Sequence, residues 1–500
     1  MSIEKSLTPN VKIAHGTPSL ERIASDHVLI LLTRGLAKNQ VLGSEIRAGV
    51  QLRRGAKPSP TGDAEPVTAN VAGKLVVWAE YDPASTAFQQ QTAIRKALEP
   101  LLKEFPRELA LVMQCGDGNG KVADEGASHA IYVAAVNSRF SLGKQSGRRA
   151  SAQRPLQTLH LYGVGRSFRA PRPLACAEGN LLARSLTLRP PNDLTPKRYR
   201  ADVQRLAKSA GWKHRAYDFK TLKKMGAGAF CAVAQGSPHQ DAAIVHLSYA
   251  PKRPGKGAPA ISLVGKGICM DTGGHGLKTA KGMYGMHEDM NGSAVALGIL
   301  KAASDLQLPL AIDVWLAIAQ NHIGPEAYQP GDVVTALDGT TIEVVHTDAE
   351  GRMVLADALT LAARSKPELI IDFATLTGAM VHSLGTRMSG IFSNRSGYAD
   401  LAVSCGRETG ERVMLFPLEA DYDAALDSKL ADVKQCLIAG EADAIYAARF
   451  LGRFVGDMPW IHMDLSAHRH EGGLGAVSDD VTGFGVAWGL ALLEKQAGQN

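Results

Sequence analysis

The chain has 500 residues, 45% of them hydrophobic and 21% charged, with a formal net charge of +6. That length supports two or three domains with sizeable cores, and the composition excludes bulk disorder. The N-terminus, Met1-Ser-Ile-Glu-Lys-Ser-Leu-Thr8, lacks the basic-then-apolar order of a secretory signal, and the apolar run over residues 308–319 is broken by Asp313, so a cytoplasmic protein with no membrane partner is expected.

In chain order, strands are expected over residues 27–33 and 73–79, with a flexible Arg/Gly/Pro loop over 53–62 between them. A helix over 87–99 is expected to stop at Pro100, and a strand over 109–113 leads into Cys115-Gly-Asp-Gly-Asn-Gly-Lys121. That segment has the wrong spacing for a phosphate loop, and Val122 stands where Ser or Thr is needed, so it reads as a turn. From Arg139 to Arg172 there are eight Lys/Arg residues and no acid. This basic stretch permits contact with DNA, but a solvated linker or a subunit contact is the stronger reading, because aromatic residues are few within it. Residues 1–172 therefore read as a small N-terminal α/β domain ending in a basic linker.

A connecting helix over 175–186 precedes the Pro190-Pro191 break. Strands over 242–248, 261–264, 310–316, 369–373 and 460–464 then alternate with helices such as 353–364 and 442–455. Such alternation argues a larger three-layer α/β domain over residues 173–500. The segment His468-Arg-His-Glu-Gly-Gly-Leu-Gly475 reads as a glycine-rich loop. Six cysteines, Cys115, Cys176, Cys231, Cys269, Cys405 and Cys436, show no CxxC spacing, and free thiols are expected.

Residues 346–353, His-Thr-Asp-Ala-Glu-Gly-Arg-Met, crowd two acids and an arginine together. Carboxylates so close repel when ionised and are rarely buried without a compensating cation, which suggests a divalent metal. Alone, Asp348-Ala-Glu350-Gly-Arg352 reads as a solvated turn; residues upstream overturn that. Polar groups emerge where the apolar run 261–264 meets Gly265-Lys266-Gly267 and where a second run ends at Asp271-Thr-Gly-Gly274. Asp289 precedes the small-residue segment Gly292–Gly298, which reads as the start of a helix able to pack closely on a sheet. Lys266, Asp271, Asp289, Asp348 and Glu350 thus offer four carboxylates and one amine. Two adjacent divalent ions are served if some carboxylates bridge, and Mn²⁺, Mg²⁺ and Zn²⁺ all suit such donors. Lys266 ligates only as the neutral amine and is otherwise an ion-pair partner.

The sequences Gly265-Lys-Gly, Asp271-Thr-Gly-Gly, Lys278, Asp289-Met-Asn-Gly and Thr347-Asp-Ala-Glu-Gly-Arg352 resemble those of the leucyl aminopeptidases, the cytosol aminopeptidase family of dinuclear metallo-exopeptidases. So do Pro190–Pro196, Tyr328–Val333, Ala374-Thr-Leu-Thr-Gly-Ala379, Gly456–Asp464 and Thr482-Gly-Phe-Gly485. The match runs in order over about residues 175–490, and several ordered motifs are far more specific than one. The chain departs from the family's usual residues at His346, Asn291, Met270 and Thr272, none of which removes an expected ligand. His287 and His346 flank ligands and suit contacts behind them better than ligation.

The resemblance implies an α/β/α catalytic domain with a mixed sheet, a homohexamer, and hydrolysis of the N-terminal residue from peptides with a free N-terminus. It implies that Asp271 and Glu350 bridge two divalent ions, Mn²⁺ or Zn²⁺. Lys266 and Asp289 would complete one site and Asp348 the other. A metal-bridged hydroxide would be the nucleophile. Lys278 would face the oxyanion as a fixed cation, and Arg352 would hold a bicarbonate acting as general base. Met286 and Thr375 would fall at the substrate pocket and the amine-binding strand end, with leucine-like residues preferred. Two alternatives stand beside this reading. One is a dinuclear phosphoesterase, which would usually draw histidine ligands. The other is a hexameric DNA-binding or architectural protein with a secondary peptidase activity.

Overall fold

Two large sheets carry most of the chain. The computed structural model describes residues 6–14, 16, 18–33, 65–114, 120–138, 155–251, 260–438 and 440–498. The expected loop over 53–62, residues 115–119 of the expected turn and residues 139–154 of the basic stretch lie outside the described residues.

The first sheet contains β1 (Asn10–Ala14), β2 (His27–Thr33), β3 (Val67–Val71), β4 (Lys74–Tyr81), β5 (Glu108–Gln114) and β6 (Thr158–Tyr162), in the order β1-β6-β5-β2-β4-β3. All its pairings are parallel except β3 with β4, a hairpin closed by Ala72 and Gly73. The helices α1 (Ala87–Leu102) and α2 (Gly120–Val136) pack on the face formed by Leu29, Leu31, Val77, Leu109 and Leu111. Thr86 and Gln89 form a reciprocal capping box that starts α1. Pro100 does not stop this helix. It sits in the last turn, where only the bond its missing N–H would have made to Lys96 is lost, and the Lys103 N–H bonds to the Glu99 carbonyl at 3.1 Å.

The second sheet has eight strands: β7 (Lys213–Asp218), β8 (Ala243–Tyr249), β9 (Ala260–Asp271), β10 (Ala311–Asn321), β13 (Leu369–Ala374), β14 (Ser389–Ser393), β15 (Val413–Leu415) and β17 (Trp460–Asp464). A small third sheet joins β11 (Val333–Thr335), β12 (Thr341–Glu343) and β16 (Val433–Lys434). In the large sheet β17, β13, β9 and β10 run parallel side by side, and β8, β7 and β14 pair antiparallel at the flanks. The sheet is therefore mixed.

Side-chain alternation shows why it needs two helical layers. Along β10, Ile312, Val314, Leu316 and Ile318 join one core, while Trp315, Ala317 and Ala319 join another on the opposite face. The first face is covered by α3 (Pro171–Thr187), α4 (Asn291–Asp305) and α6 (Val486–Gln496), and the second by α5 (Glu350–Arg364). This is the three-layer α/β/α arrangement expected from the sequence. The first of these cores continues through α1 and α2 to the N-terminal sheet.

β9 is longer than its sequence suggests. Instead of ending at Gly265, it runs on to Asp271, twelve residues in all, so Lys266 lies mid-strand. Glycines allow this because a Cβ at Gly265 would stand 2.4 Å from the Cα of Ser293, where the start of α4 presses on the strand. The five described cysteines, Cys176, Cys231, Cys269, Cys405 and Cys436, are free and buried. Among the described residues no helix is long and apolar enough to cross a membrane.

The start of α6 is held by an acid. Glu411 accepts the N–H groups of Gly485 and Trp488 on one oxygen, at 2.9 and 2.8 Å. Burial raises its pKa from 4.5 to about 7, against the opposing effect of those donors. A folded pKa above the unfolded one gives a contribution fully present below pH ~4.5 and lost as pH rises through ~7. Glu411→Gln keeps an acceptor without the charge. It should raise unfolding stability by roughly 1–3 kcal/mol at pH 8 and change little at pH 4. Urea titration at the two pH values checks the sign; equal shifts at both would refute it.

Candidate metal centre

The site lies at the carboxyl ends of the central parallel strands, where α/β sheets bring loops from neighbouring strands together. β9 supplies Lys266 and Asp271. Asp289 follows the short 3₁₀ turn Met286–Glu288 and precedes α4, while Thr375 follows β13. Glu350 is the first residue of α5, three residues earlier than the expected helix start, with Asp348 two residues ahead of it. A carboxylate at that end meets the positive pole of the helix.

Lys266, Asp271, Asp289, Glu350 and Arg352 are 1–6% exposed. The Lys266 ammonium reaches Asp289 Oδ1 at 2.9 Å, Glu350 Oε1 at 2.8 Å and the Thr375 carbonyl at 3.0 Å. Burial opposes its charge, but the Asp289, Glu350 and Asp271 carboxylates outweigh burial and hold the amine above its usual range. Lys278 is drawn to Asp271 Oδ2 at 2.9 Å and Asp348 Oδ1 at 2.6 Å. Burial likewise opposes its charge, and Asp271 and Glu350 keep it protonated. The five residues expected as ligands and Lys278 thus lie in one cluster.

Metal-binding capacity can be tested on the donors. Ligand atoms of Asp271, Asp348 and Glu350 lie within 4.8 Å of one another. Asp289 Oδ2 and Glu350 Oε2 are buried without a hydrogen-bond partner. Burial raises the pKa of Glu350 and of Asp289, and the neighbouring Asp271 adds to both. Four carboxylates face two ammoniums, and the surplus negative charge together with the unpartnered oxygens fits divalent cations. Occupying the site with Mn²⁺ or Zn²⁺ at about 100 times its Kd should stabilise the fold by about 2.7 kcal/mol. A thermal melt with and without EDTA reads this directly, and an unchanged midpoint would count against a metal site.

The surrounding loops fix the cluster. Asn321, the last residue of β10, donates from Nδ2 to Asp271 Oδ1 at 2.8 Å and to the Thr347 carbonyl at 2.9 Å. Thr347 Oγ1 donates to the Gly273 carbonyl and accepts the Gly276 N–H, both at 2.7 Å. His346 Nδ1 accepts the Asp348 N–H at 3.1 Å, so this histidine shapes the turn that presents Asp348. Gln435 accepts the Val345 and His346 N–H groups at 3.1 and 3.2 Å and donates to the Ala349 carbonyl at 2.9 Å. Thr375 Oγ1 donates to Asp289 Oδ1 at 2.7 Å.

Above the carboxylates opens a cleft of ≈ 540 Å³. Its walls include Met286, Leu376, Val381, Leu437 and His468. Asp464 and Thr377, which the sequence motifs contain but do not single out, also line it. Asp464 accepts Thr377 Oγ1 at 2.6 Å and the Leu376 N–H at 3.1 Å, tying the end of β17 to the loop after β13. Arg352 borders the cleft as well. Its Nη1 donates to the Gln435 carbonyl at 3.1 Å and its Nη2 to Asp443 Oδ1 at 2.8 Å.

Residues 181–488 match the catalytic-domain model of the cytosol aminopeptidase family. The chain belongs to that family. A probable cytosol aminopeptidase from Nitrobacter winogradskyi is 39% identical over 319 residues, covering 63% of this chain and 62% of the relative. One from Roseiflexus castenholzii is 42% identical over 292 residues, covering 58% and 59%. The chain thus spans about 62% of the length of the first of these family members and 59% of the second. Among solved structures, the bottromycin maturation enzyme BotP in complex with Mn aligns over 95% of this chain and 100% of its own, at 31% identity and TM-score 0.81. An apo leucyl aminopeptidase from Trypanosoma cruzi aligns over 98% of both chains at 25% identity and TM-score 0.83. Both carry the fold described above.

Proposed function

We propose that this family member is a metal-dependent aminopeptidase that removes the N-terminal residue from peptides. The observation that carries the reading is the cluster of buried Asp271 and Glu350 with part-buried Asp348 at the floor of an open cleft. Family membership and the Mn complex of BotP support it.

Asp271, Asp289, Asp348, Glu350 and Lys266 would hold two divalent ions, Mn²⁺ or Zn²⁺. When bound, such ions would activate water near neutral pH and polarise the scissile carbonyl. The chain's own groups do the rest. Lys278, anchored by Asp271 and Asp348, offers a fixed positive charge to the oxyanion. The Met286, Leu376 and Val381 wall takes an apolar first side chain, which favours leucine-like residues. Thr375 holds Asp289 in place where a free α-amine would arrive. A homohexamer in the cytoplasm completes this reading, and its assembly can be read by sedimentation.

The test is a panel of aminoacyl p-nitroanilides with N-terminally blocked controls, run after chelation and after reloading with Mn²⁺ or Zn²⁺. Turnover of free leucyl and methionyl substrates, abolished by chelation and absent for blocked ones, is expected. Equal cleavage of blocked and free substrates, or none with either metal, would overturn the proposal.

A further inference from the structure

Arg352 is the residue at which the family resemblance would seat a bicarbonate, and both terminal nitrogens of its guanidinium are already engaged. Nη1 carries the Gln435 carbonyl, Nη2 carries the Asp443 carboxylate at 2.8 Å, and Nε is buried without a partner. An incoming anion would place a second negative charge beside Asp443, on a cation whose charge is already balanced. The seat does not fit a free bicarbonate while Asp443 occupies it.

We infer that Asp443 is the built-in counter-anion of Arg352, a positioning residue that occupies the guanidinium an external anion such as bicarbonate would otherwise pair with. Three features support this. Asp443 lines the same cleft as the metal-binding carboxylates, with its side chain 25% exposed. It is the first residue of the helix Asp443–Gly452, where the helix pole favours negative charge. Ala442, just before it, holds a left-handed backbone at φ 51°, a costly conformation for a residue with a Cβ, so the local path is set by more than propensity. Arg352 in turn rises from the first turn of α5, two residues after Glu350. The carboxylate therefore fixes the guanidinium beside the metal centre and keeps anions off it.

This inference rests on the proposed peptidase reading for its kinetic arm but not for its binding arm. Retention of radiolabelled bicarbonate by equilibrium dialysis is compared for the parent, Asp443→Asn and Asp443→Ala, each checked for an unchanged melting midpoint. Removing the charge should tighten bicarbonate binding about tenfold or more, the scale of one charge-assisted contact. Mutating Arg352→Ala in the Asp443→Asn background should abolish the gain. Equal or weaker binding by both Asp443 variants overturns the inference. In the kinetic arm, the Mn²⁺-loaded parent should turn over leucyl p-nitroanilide at the same rate in bicarbonate-free and bicarbonate-containing buffer, whereas Asp443→Asn should gain a saturable stimulation. Stimulation of the parent as large as that of the variant also overturns it. If no protein cleaves any substrate, the peptidase proposal fails, and the affinity ratio still decides the role of Asp443.

Discussion

Replacing Glu350 with glutamine is expected to remove metal-dependent activity and to abolish most of the stabilisation that divalent ions confer. Glu350 is 1% exposed, shares Lys266 with Asp289, and keeps Oε2 buried without a partner. Glutamine keeps the size, can still accept from Lys266, and removes the charge that a second cation requires. Disturbing an outer contact of a metal site costs roughly 10–100-fold in affinity or activity, so loss of a carboxylate proposed to hold the ions directly should exceed that range. The apo protein should respond in the opposite sense. Burial raises the Glu350 pKa, with Asp271 next in effect, so a neutral amide relieves repulsion and should raise the melting midpoint of the EDTA-treated protein. Isothermal titration with Mn²⁺ and a melt in EDTA separate the two effects. Undiminished metal affinity in Glu350→Gln would sink the proposal that Glu350 is a metal ligand.

That residue was legible in the sequence because its signal is local. Asp348 and Glu350 stand two apart beside a glycine, and Asp271 and Asp289 each interrupt an apolar or small-residue run. Strand ends and helix starts announce themselves in the same way, which is why the stretches around β2, β13 and β17 were recognisable. Lys266 was harder to place, since glycines on both sides suggest a strand end; they are needed instead because α4 lies against the backbone. Asn321, Thr377, Asp464 and Asp443 carried no such mark. Each acts through one or two contacts with residues far away in sequence, such as Asp271 fifty positions from Asn321 or Arg352 ninety-one from Asp443. Short edge strands such as β1, with its mostly exposed side chains, lack an apolar run. Their place in the sheet follows from non-local pairing, which periodicity does not encode.

Gly298→Ala is expected to cost about 3 kcal/mol or more, at or above the upper end for overpacking, because the obstacle is backbone. A Cβ at Gly298 would stand 2.5 Å from the Gly179 carbonyl oxygen, and one at Gly179 would stand 2.3 Å from the Gly298 oxygen. α3 and α4 therefore cross at two facing glycines, with Val486 at the start of α6 within 3.2 Å of the same point. Neither helix can withdraw alone. α4 is also seated on β13, where a Cβ at Gly292 would meet the Phe373 oxygen at 2.1 Å, and Asp289 lies just ahead of it. A shift forced at Gly298 would be transmitted along a rigid helix toward the acid that pairs with Lys266, so metal affinity should weaken along with stability. Gly397→Ala is the control. It lies in the helix Ser396–Thr409 with open space where its Cβ would go, so it should be neutral or stabilise by up to about 1 kcal/mol. Urea unfolding of both variants decides the matter: a Gly298→Ala change within about 0.5 kcal/mol of the parent would mean that the crossing relaxes freely. In that case close helix approach would not be what holds Asp289 at the strand ends.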